Sequence, residues 1–444
     1  MLPILRRSER QTCILSDLGD GPIACDGHLL RGLGAMNRGP LSATEATEEE
    51  ARPQESAWAF VLAVFGLSRL FFLCVGELAA LFLPWATPPQ VVVEPGYLNY
   101  WTHWDGELYL KIATEGYGAT EDYDLGAPIS TAFFPLYPLF VRAGISIGGR
   151  PALWGVLISL VATLFALYFL YRIAEKLQNK EVAKAATLTF AFFPTAFFLN
   201  AVYTEAIFVA FAAGSYWAAY VRRNLLLAGL LGALAAATRN TGVLLLIPLV
   251  YLWLHNRSEF GWRGVWKIAL VPAGLLGYML FLWYRFGDPL VFADAQAIYW
   301  GRELTNPLVT LAKALVSAAY GLKSVLDPAT LFLDTDVSPA GEASNTFNLA
   351  FLVLFLILMG IGFMILPAGL SVYSFVVVLL PVFTASAFYP LMSLPRFVLS
   401  AFPLFFVLGY LLSRSRPALY LWLLISGGMG VALTSMFVTW RWVA

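Results

Sequence analysis

Long apolar runs separated by short polar segments form the main pattern of this 444-residue sequence. A membrane-spanning helix needs about 20 mainly apolar residues. The first such run extends from about residue 58 to 83, where a group of prolines ends it. The pattern predicts about eleven spans, of which the later ten lie near 152–172, 184–200, 203–221, 224–238, 241–254, 266–285, 347–366, 369–388, 397–412 and 418–440.

The apolar segment at residues 132–140 is predicted not to cross the membrane. It contains Pro135 and Pro138, and Arg142 follows closely. Proline removes a backbone donor and breaks a helix. We therefore expect a segment that lies in the membrane or re-enters it.

Composition places the chain among polytopic membrane proteins of the all-α class. Apolar residues make up 59% of it, charged residues 13%, and the mean hydropathy is +0.72, whereas soluble domains are about 25% charged. The net charge of zero gives no reason to expect nucleic acid as a partner. Three cysteines and three histidines are widely spaced, so neither a disulfide framework, a zinc site nor a cofactor is predicted.

Residues 1–56 differ from the rest because they are polar, rich in Gly and Arg, and end near an acidic run. They are predicted to be a disordered cytoplasmic segment, followed by one membrane domain at 57–444. Met36 lies nearer to the first span than Met1, and we hypothesise that it is the true start.

Basic residues divide the loops into two sets. By the positive-inside rule the richer set is cytoplasmic, which places the first long loop (84–151) and a second long loop (286–345) outside. The opposite short loops carry only Arg239 and Arg396. The richer set contains Arg172, Lys176, Lys180, Lys184, Arg222, Arg223, Arg257, Arg263, Lys267, Arg414 and Arg416.

Acidic, basic and aromatic residues crowd into residues 101–117 of the first loop. Their polar groups cannot lie unpaired in hydrocarbon, which indicates a working site at the bilayer surface. An amphipathic surface helix with Leu108 and Ile112 on its apolar face is the alternative. The candidate residues of this stretch are His103, Trp104, Asp105, Glu107 and Lys111.

Other polar residues fall at the outer ends of the predicted spans. An arginine beside a helix break or a proline is suited to meet an anion, although snorkelling to the interface is the alternative for Arg239 and Arg396. The candidate binding residues here are Asn200, Tyr203, Glu205, Arg239, Asn240 and Arg396.

Two further patterns are weaker. The acidic groups Glu121-Asp122-x-Asp124 and Asp334-x-Asp336 are candidate metal ligands, but they lie in loop sequence, where solvated turn residues are the commoner explanation. Aromatic pairs at Phe133-Phe134, Phe192-Phe193 and Phe197-Phe198 are suited to a groove for a lipid, or to ordinary packing.

Several motifs together resemble the PIG-V family of mannosyltransferases. They are HWDGELYLKIA-x-x-GY (103–117), AFFPLYP (132–138), FFPTAFFLNAVYTE (192–205), ATRNTG (237–242) and LPRFVLSAFPLF (394–405). The family has prokaryotic relatives, and we expect this chain to be one of them.

The resemblance implies a GT-C-like helical bundle. It also implies a sugar donor linked to polyprenyl phosphate, a glycolipid or glycan acceptor, and an active site on the non-cytoplasmic face of the cell membrane. The GT-C pattern places a catalytic acid in the first external loop. Asp105 matches that position, and Glu107 is the nearby alternative.

Residue chemistry agrees with these roles. A carboxylate can take the proton of a sugar hydroxyl as it attacks, and direct transfer with one base inverts the anomeric centre. The phosphate that leaves needs fixed donors, for which Arg239, Arg396, Lys111 and His103 are candidates.

Two other classes of function remain open. A transporter or flippase of a lipid-linked substrate would also carry charge and broken helices within the membrane. The sequence contains no evident inverted repeat, and its acidic cluster lies in a loop. A structural subunit without catalysis would leave Asp105 with no role.

Overall fold

The computed structural model describes residues 56–86, 98–118 and 126–443, and these are mostly helical. The expected disordered segment with its alternative start at Met36 lies outside the described residues, as do Glu121, Asp122 and Asp124. Residues from Glu55 onward form one compact unit.

The first half of this unit is built from α-helices linked by short irregular or 3-10 segments. These helices are α1 (Ala57–Phe82), α2 (Asp105–Glu115), α3 (Leu136–Ser146), α4 (Pro151–Leu177), α5 (Lys180–Ala191), α6 (Glu205–Tyr220), α7 (Leu225–Thr238) and α8 (Leu246–His255). The 3-10 segments are Asn99–Thr102, Ile129–Ala132, Ala196–Leu199 and Asn240–Leu245.

The second half adds one small antiparallel pair of strands to the helices. Its elements are α9 (Arg257–Phe260), α10 (Gly264–Ile268), α11 (Ala273–Phe286), α12 (Val291–Trp300), β1 (Arg302–Leu304), α13 (Pro307–Val325), α14 (Pro328–Leu333), α15 (Ser338–Ile365), α16 (Ala368–Phe383), β2 (Thr384–Ser386), α17 (Leu394–Phe397), α18 (Pro403–Leu412) and α19 (Arg416–Val438).

The helical membrane class predicted from the sequence is confirmed, but the number of spans is not. Among the described residues, five helices are long and apolar enough to cross a bilayer: α1, α4, α13, α15 and α19. A sixth arises if α17 and α18, bent by 89°, count as one span. Several expected spans are shorter because breaks in the backbone interrupt their helices.

One such break separates α5 from α6. The span expected at 184–200 stops being helical at Ala191, three residues before Pro194. Arg69 of α1 is buried there and donates hydrogen bonds to the carbonyls of Ala191 (2.7 Å) and Ala196 (2.8 Å). Irregular backbone is tolerated at membrane depth only when such groups are paired inside the protein. Arg69 therefore stabilises the break.

The segment at 132–140 agrees with the prediction that it does not cross. Most of it lies in α3, whose 11 residues are too few to span a bilayer. In contrast, residues 286–345, which were expected to form a long loop, contain the helices α12, α13 and α14.

Helix α13 packs closely along α15. Ser324 Oγ donates to Glu342 at 2.9 Å, and Thr346 Oγ1 donates to the Ala318 carbonyl at 2.8 Å. A Cβ on Gly321 would lie 2.0 Å from the Glu342 carbonyl oxygen, so only glycine permits this approach. Helix α13 was not predicted from the sequence because its mean hydropathy is modest, at 1.3.

The C-terminal segment returns to the first loop and fixes it. The Ala86 amide donates to the Thr439 carbonyl at 3.0 Å. Arg441 is fully buried and donates to the carbonyl oxygens of Pro84, at 2.9 Å, and Asp334. Residues 84–86, 334 and 439–441 are thereby held side by side.

Candidate active site

Asp105 is the first residue of α2, and a strained residue sets its position. Trp104, which precedes it, has φ 61°, a conformation that is costly for a residue with a Cβ and is often found at functional sites. Gly106 lies against the Val202 carbonyl, and the Val202 amide donates to Trp101 at 2.9 Å. The start of α2 is thus held against the segment that precedes α6.

Four charged side chains meet in one connected group of ion pairs. Arg396 Nη1 lies 2.7 Å from Asp105 Oδ2, and Arg396 Nε lies 3.1 Å from Glu205 Oε1. The same Glu205 oxygen accepts from Arg239 Nη1 at 2.8 Å. Glu205 is 1% exposed, and a buried carboxylate requires such partners.

Each member of this group stands at the end of a helix. Glu205 opens α6 as Asp105 opens α2, where the helix dipole favours a negative charge. Arg239 follows α7 at the junction with the 3-10 turn Asn240–Leu245. Arg396 lies in the short helix α17, and Ser393, the residue just before that helix, has φ 67°. Breaks in the helices therefore bring these residues together.

The segment that carries Arg396 is tied to its neighbours. Thr195 Oγ1 donates to the Pro395 carbonyl at 2.6 Å, and Tyr373 OH donates to the Ser400 carbonyl at 3.0 Å. The Arg396 guanidinium also lies over the Tyr203 ring, at 5.3 Å from its centre. This packing and the ion pairs contradict simple snorkelling to the interface.

These charges face a cavity of about 310 Å³, a volume at the lower end of the range for small-molecule sites. One part of its wall is charged or polar and another is aromatic. The lining includes Asp105, Tyr109, Phe133, Phe134, Tyr203, Glu205, Thr238, Arg239, Asn240, Thr241, Phe292, Trp300, Arg302, Ser393, Arg396 and Phe397.

Six predicted site residues line this cavity: Asp105, Tyr203, Glu205, Arg239, Asn240 and Arg396. Five others lie elsewhere in the described structure: His103, Trp104, Glu107, Lys111 and Asn200. Glu107 is exposed on α2 and Lys111 is half-buried one turn later. Asp105 is therefore the acid of this pair that faces the cavity.

His103 belongs to an aromatic cluster beside the C-terminal segment. It is buried and stacks on Trp440, with ring centres 4.1 Å apart, while Nδ1 lies 3.2 Å from the Phe437 carbonyl. Burial lowers the pKa of His103 to about 4 and outweighs the effect of that hydrogen bond. His103 is thus neutral near pH 7, and the predicted role of a cation for phosphate does not fit it.

Trp104 and Asn200 also have structural surroundings. The Trp104 ring contacts Trp440 and Trp442. Asn200 is fully buried, and its Oδ1 accepts from Arg69 Nη1 at 2.7 Å. Asn200 therefore helps to hold the break between α5 and α6.

The aromatic pairs separate into two kinds. Phe133 and Phe134 line the cavity. Phe193 packs in the core against Phe351 and Phe405, and the pair at 197–198 packs on Phe437. Only the first of the three pairs is placed to contact a ligand in this cavity.

The acidic pair at Asp334 and Asp336 forms turn contacts. Asp334 accepts from the Asp336 amide at 3.1 Å, and Asp336 accepts from the Ser338 amide at 3.0 Å. Within the part of the chain that the structure describes, no group of three or more His, Cys, Asp or Glu residues is arranged to hold a metal ion.

The lining residues that the sequence analysis did not identify include Arg302 and Tyr109. Arg302 stood in a segment expected to be a loop, and the signal that could have found it was an arginine next to Trp300 and Gly301. Tyr109 was taken only as part of the polar stretch. Burial raises the pKa of Tyr109 above its usual range, so its hydroxyl remains protonated and lies 3.3 Å from Thr204 Oγ1.

The fold and the cavity together define a multi-pass helical membrane protein with a charged pocket. Residues 67–256 match the family model described as Mannosyltransferase (PIG-V). This match confirms the resemblance that the motifs indicated. The motif at 394–405, which carries Arg396, lies beyond the matched residues.

One curated relative supports the same family. The chain is 33% identical over 208 residues to GPI mannosyltransferase 2 of Drosophila pseudoobscura pseudoobscura. The aligned region covers 41% of this chain and 44% of that relative, so the chain matches less than half of the relative's length.

Two solved structures are similar to this chain over most of its length. The Archaeoglobus fulgidus oligosaccharyltransferase in its apo form is 15% identical, with a TM-score of 0.45 and coverage of 84% of this chain and 56% of that one. ArnT from Cupriavidus metallidurans in the apo state is 13% identical, with a TM-score of 0.32 and coverage of 83% and 77%.

Proposed function

We propose that this protein is a membrane-embedded mannosyltransferase. It takes a hexose from a polyprenyl-phosphate donor and transfers it to a hydroxyl group of a glycolipid or glycan on the non-cytoplasmic face. The observation that carries the proposal is the group of ion pairs joining Asp105, Arg396, Glu205 and Arg239 at one cavity. The family match supports the type of reaction.

Asp105 is the general base of the proposed reaction. Arg396 engages its Oδ2, which leaves Oδ1 to accept the proton of the attacking hydroxyl. As that proton moves to Asp105, the hydroxyl oxygen bonds to the anomeric carbon. The bond from that carbon to the phosphate oxygen breaks, and its electron pair stays on the phosphate. A positioned base of this kind contributes roughly 10²–10⁴-fold to a rate.

Arginine side chains stabilise the phosphate that leaves. A guanidinium presents a planar fork of donors that matches phosphate oxygens, and donors fixed before the reaction stabilise developing charge. Arg239 and Arg396 are held by Glu205 and are therefore preorganised.

Glu205 is a second carboxylate near Asp105, and its surroundings argue against a covalent route. Its Oε1 is shared by two guanidinium groups and the residue is 1% exposed. A nucleophile needs access to the anomeric carbon. We therefore assign Glu205 to holding the arginines and propose that transfer inverts the anomeric centre.

The donor lipid is proposed to lie along the aromatic wall. Phe133, Phe134, Phe292 and Trp300 line the cavity beside the charged residues. An apolar wall next to a few polar groups is typical of small-molecule sites. This arrangement suits an isoprenoid chain that ends in a phosphate.

The direction in which the helices run supports an outward-facing site. Helix α6 runs from Glu205 at the cavity to Arg222 and Arg223 just beyond its other end. Arg223 pairs there with Glu259, with Nε 2.9 Å from Oε1. Arg222, Arg223 and the basic segment at 257–263 thus lie away from the cavity, and the positive-inside rule places them in the cytoplasm.

Helix α13 is consistent with this orientation although it is long enough to span. Arg302, just before α13, lines the cavity. After α13, the Asp334 carbonyl accepts from Arg441, which also binds the Pro84 carbonyl. Both ends of α13 therefore lie near the proposed outer side, and we propose that α13 does not cross.

The direct test is transfer by the purified protein. It is incubated with radiolabelled polyprenyl-phosphate mannose and a membrane extract, and the labelled product is identified along with its anomeric configuration. We expect a product whose configuration is opposite to that of the donor. Transfer from a nucleotide sugar alone would contradict the proposal, and movement of the donor across vesicles without any product would favour a flippase.

A further inference from the structure

Three arginines gather around one phenylalanine ring in the cavity. The guanidinium carbons of Arg239, Arg302 and Arg396 lie 4.9, 5.1 and 5.2 Å from the centre of the Phe397 ring. A ring face attracts cations, and three cations near one ring also lie near one another. Like charges so placed repel unless anions lie between them.

The carboxylates of the cavity compensate two of these arginines. Arg239 pairs with Glu205, and Arg396 pairs with both Glu205 and Asp105. Within the described part of the chain, Arg302 forms no ion pair. Its Nη2 donates to the Met392 carbonyl at 3.1 Å, which is a neutral acceptor.

The charged residues lining the cavity are therefore unbalanced. Among the described lining residues, three arginines face two carboxylates, which leaves one positive charge. Burial lowers the pKa of Arg302 to about 10; Arg396 and Arg239 act in the same direction, and Asp105 acts in the opposite one. Arg302 is still charged near pH 7, and an anion in the cavity would stabilise it.

Backbone structure holds Arg302 at this point. It is the first residue of β1 and is paired with Ser386 of β2. On either side, the Ala387 amide donates to the Gly301 carbonyl at 2.9 Å and the Thr305 amide donates to the Phe383 carbonyl at 2.8 Å. Gly301 has φ 59°, and a Cβ there would lie 2.9 Å from that of Ala387.

We propose that Arg302 binds the phosphate group of the lipid-linked substrate directly. This inference rests on the proposed function and adds a residue to it. Arg239 and Arg396 share their charge with carboxylates, whereas Arg302 has its charge available for the ligand. When the bond to the sugar breaks, the electron pair left on the phosphate oxygen increases the negative charge that Arg302 stabilises.

The test measures binding without catalysis. Purified protein in detergent is titrated with polyprenyl phosphate and, separately, with the uncharged polyprenol of the same length. The variants are Arg302→Gln and Arg302→Lys. Arg285→Gln is the control, since Arg285 is an exposed arginine at the end of α11 that does not line the cavity.

We expect Arg302→Gln to weaken polyprenyl phosphate binding about tenfold or more, in the range of a lost charge-assisted hydrogen bond. Polyprenol binding and the control variant should be unchanged. Arg302→Lys should restore only part of the affinity, because lysine lacks the planar fork.

The outcomes separate the two proposals. If the wild-type protein binds polyprenol as tightly as polyprenyl phosphate, the phosphate-linked donor is wrong. If it prefers the phosphate and both Arg302 variants keep that preference, only the role of Arg302 is wrong. If Arg302→Gln fails to fold, the test uses Arg302→Lys instead. Its affinity for polyprenyl phosphate is measured, together with the competition of inorganic phosphate for that binding. Wild-type results in both measurements would overturn the inference.

Discussion

Arg396 Nη1 lies 2.7 Å from Asp105 Oδ2, although the two residues are 291 positions apart in the chain. The same guanidinium contacts Glu205, whose other partner is Arg239. The proposed base and the proposed phosphate-binding residues are therefore connected. A substrate phosphate that attracts Arg396 would also release Asp105 Oδ2, so donor binding and base function are expected to be coupled.

Replacement of Asp105 by Asn should abolish transfer without unfolding the protein. Asn keeps the shape of the side chain and can accept a hydrogen bond, but it cannot take a proton near neutral pH. We expect a loss of roughly 10²-fold or more in turnover, measured as the initial rate of labelled product. Glu107→Gln is the matched control, since Glu107 is exposed and does not line the cavity. A dead Glu107→Gln beside an active Asp105→Asn would move the base to Glu107.

Lysine at Arg239 or Arg396 should impair use of the donor even though the charge is kept. Each arginine faces the cavity while it holds Glu205, and lysine cannot contact two groups with a planar fork. Donor titrations of initial rate should show a raised KM for Arg239→Lys. For Arg396→Lys we expect kcat to fall as well, because Arg396 also touches Asp105. Unchanged kinetics in both variants would mean that neither arginine binds the donor.

Replacement of Glu205 by Gln should destabilise the protein. The substitution leaves two arginines without the carboxylate that they share, and removing one partner of a buried ion pair costs about 3–5 kcal/mol. Thermal unfolding in detergent should show a lower Tm. A double variant that also removes Arg239 should lose less than the two single losses combined, since the residues are coupled. Additive losses would contradict the shared ion pair.

The stability of the protein should decrease at acidic pH because His103 is buried in its neutral form. Its pKa is about 4 in the folded protein and about 6.5 when it is exposed, so the unfolded chain binds the proton more readily between these values. Stability contributed by the neutral form is present above pH 6.5 and is lost as the pH falls towards 4. The difference corresponds to about 3 kcal/mol. Thermal unfolding from pH 7 to 4 should depend less on pH in His103→Phe, and an identical pH dependence would place the titrating group elsewhere.

Cysteine labelling in intact cells tests the proposed orientation. In a background without the natural Cys13, Cys25 and Cys74, single cysteines are placed at Lys176, Glu115 and Asp327. A membrane-impermeant reagent should label Glu115→Cys and Asp327→Cys but not Lys176→Cys. Labelling at 176 alone would mean that the orientation is the reverse of the one proposed. Protection at 327 with labelling at 115 would mean that α13 crosses the membrane.

The sequence alone was enough for the class of fold and for naming four of the five charged residues that line the cavity among the described residues. Long apolar runs form helices in a bilayer because every backbone group must be paired within the segment, and this depends on local composition. The charged residues in and around the apolar runs, such as Asp105, Arg239 and Arg396, stood out because hydrocarbon cannot accommodate them unpaired. The same local argument could not tell a cavity residue from one that binds another part of the protein.

Only the tertiary structure decided which polar residues share the cavity. Asn200 and Glu205 stand five positions apart, yet Asn200 binds Arg69 of α1 while Glu205 binds Arg239 and Arg396. Arg302 lies at the same cavity because β1 pairs with a strand more than 80 positions away. Helix α13 is held by contacts with α15. The partner and the burial of a side chain depend on residues distant in sequence, so they cannot be inferred from local composition.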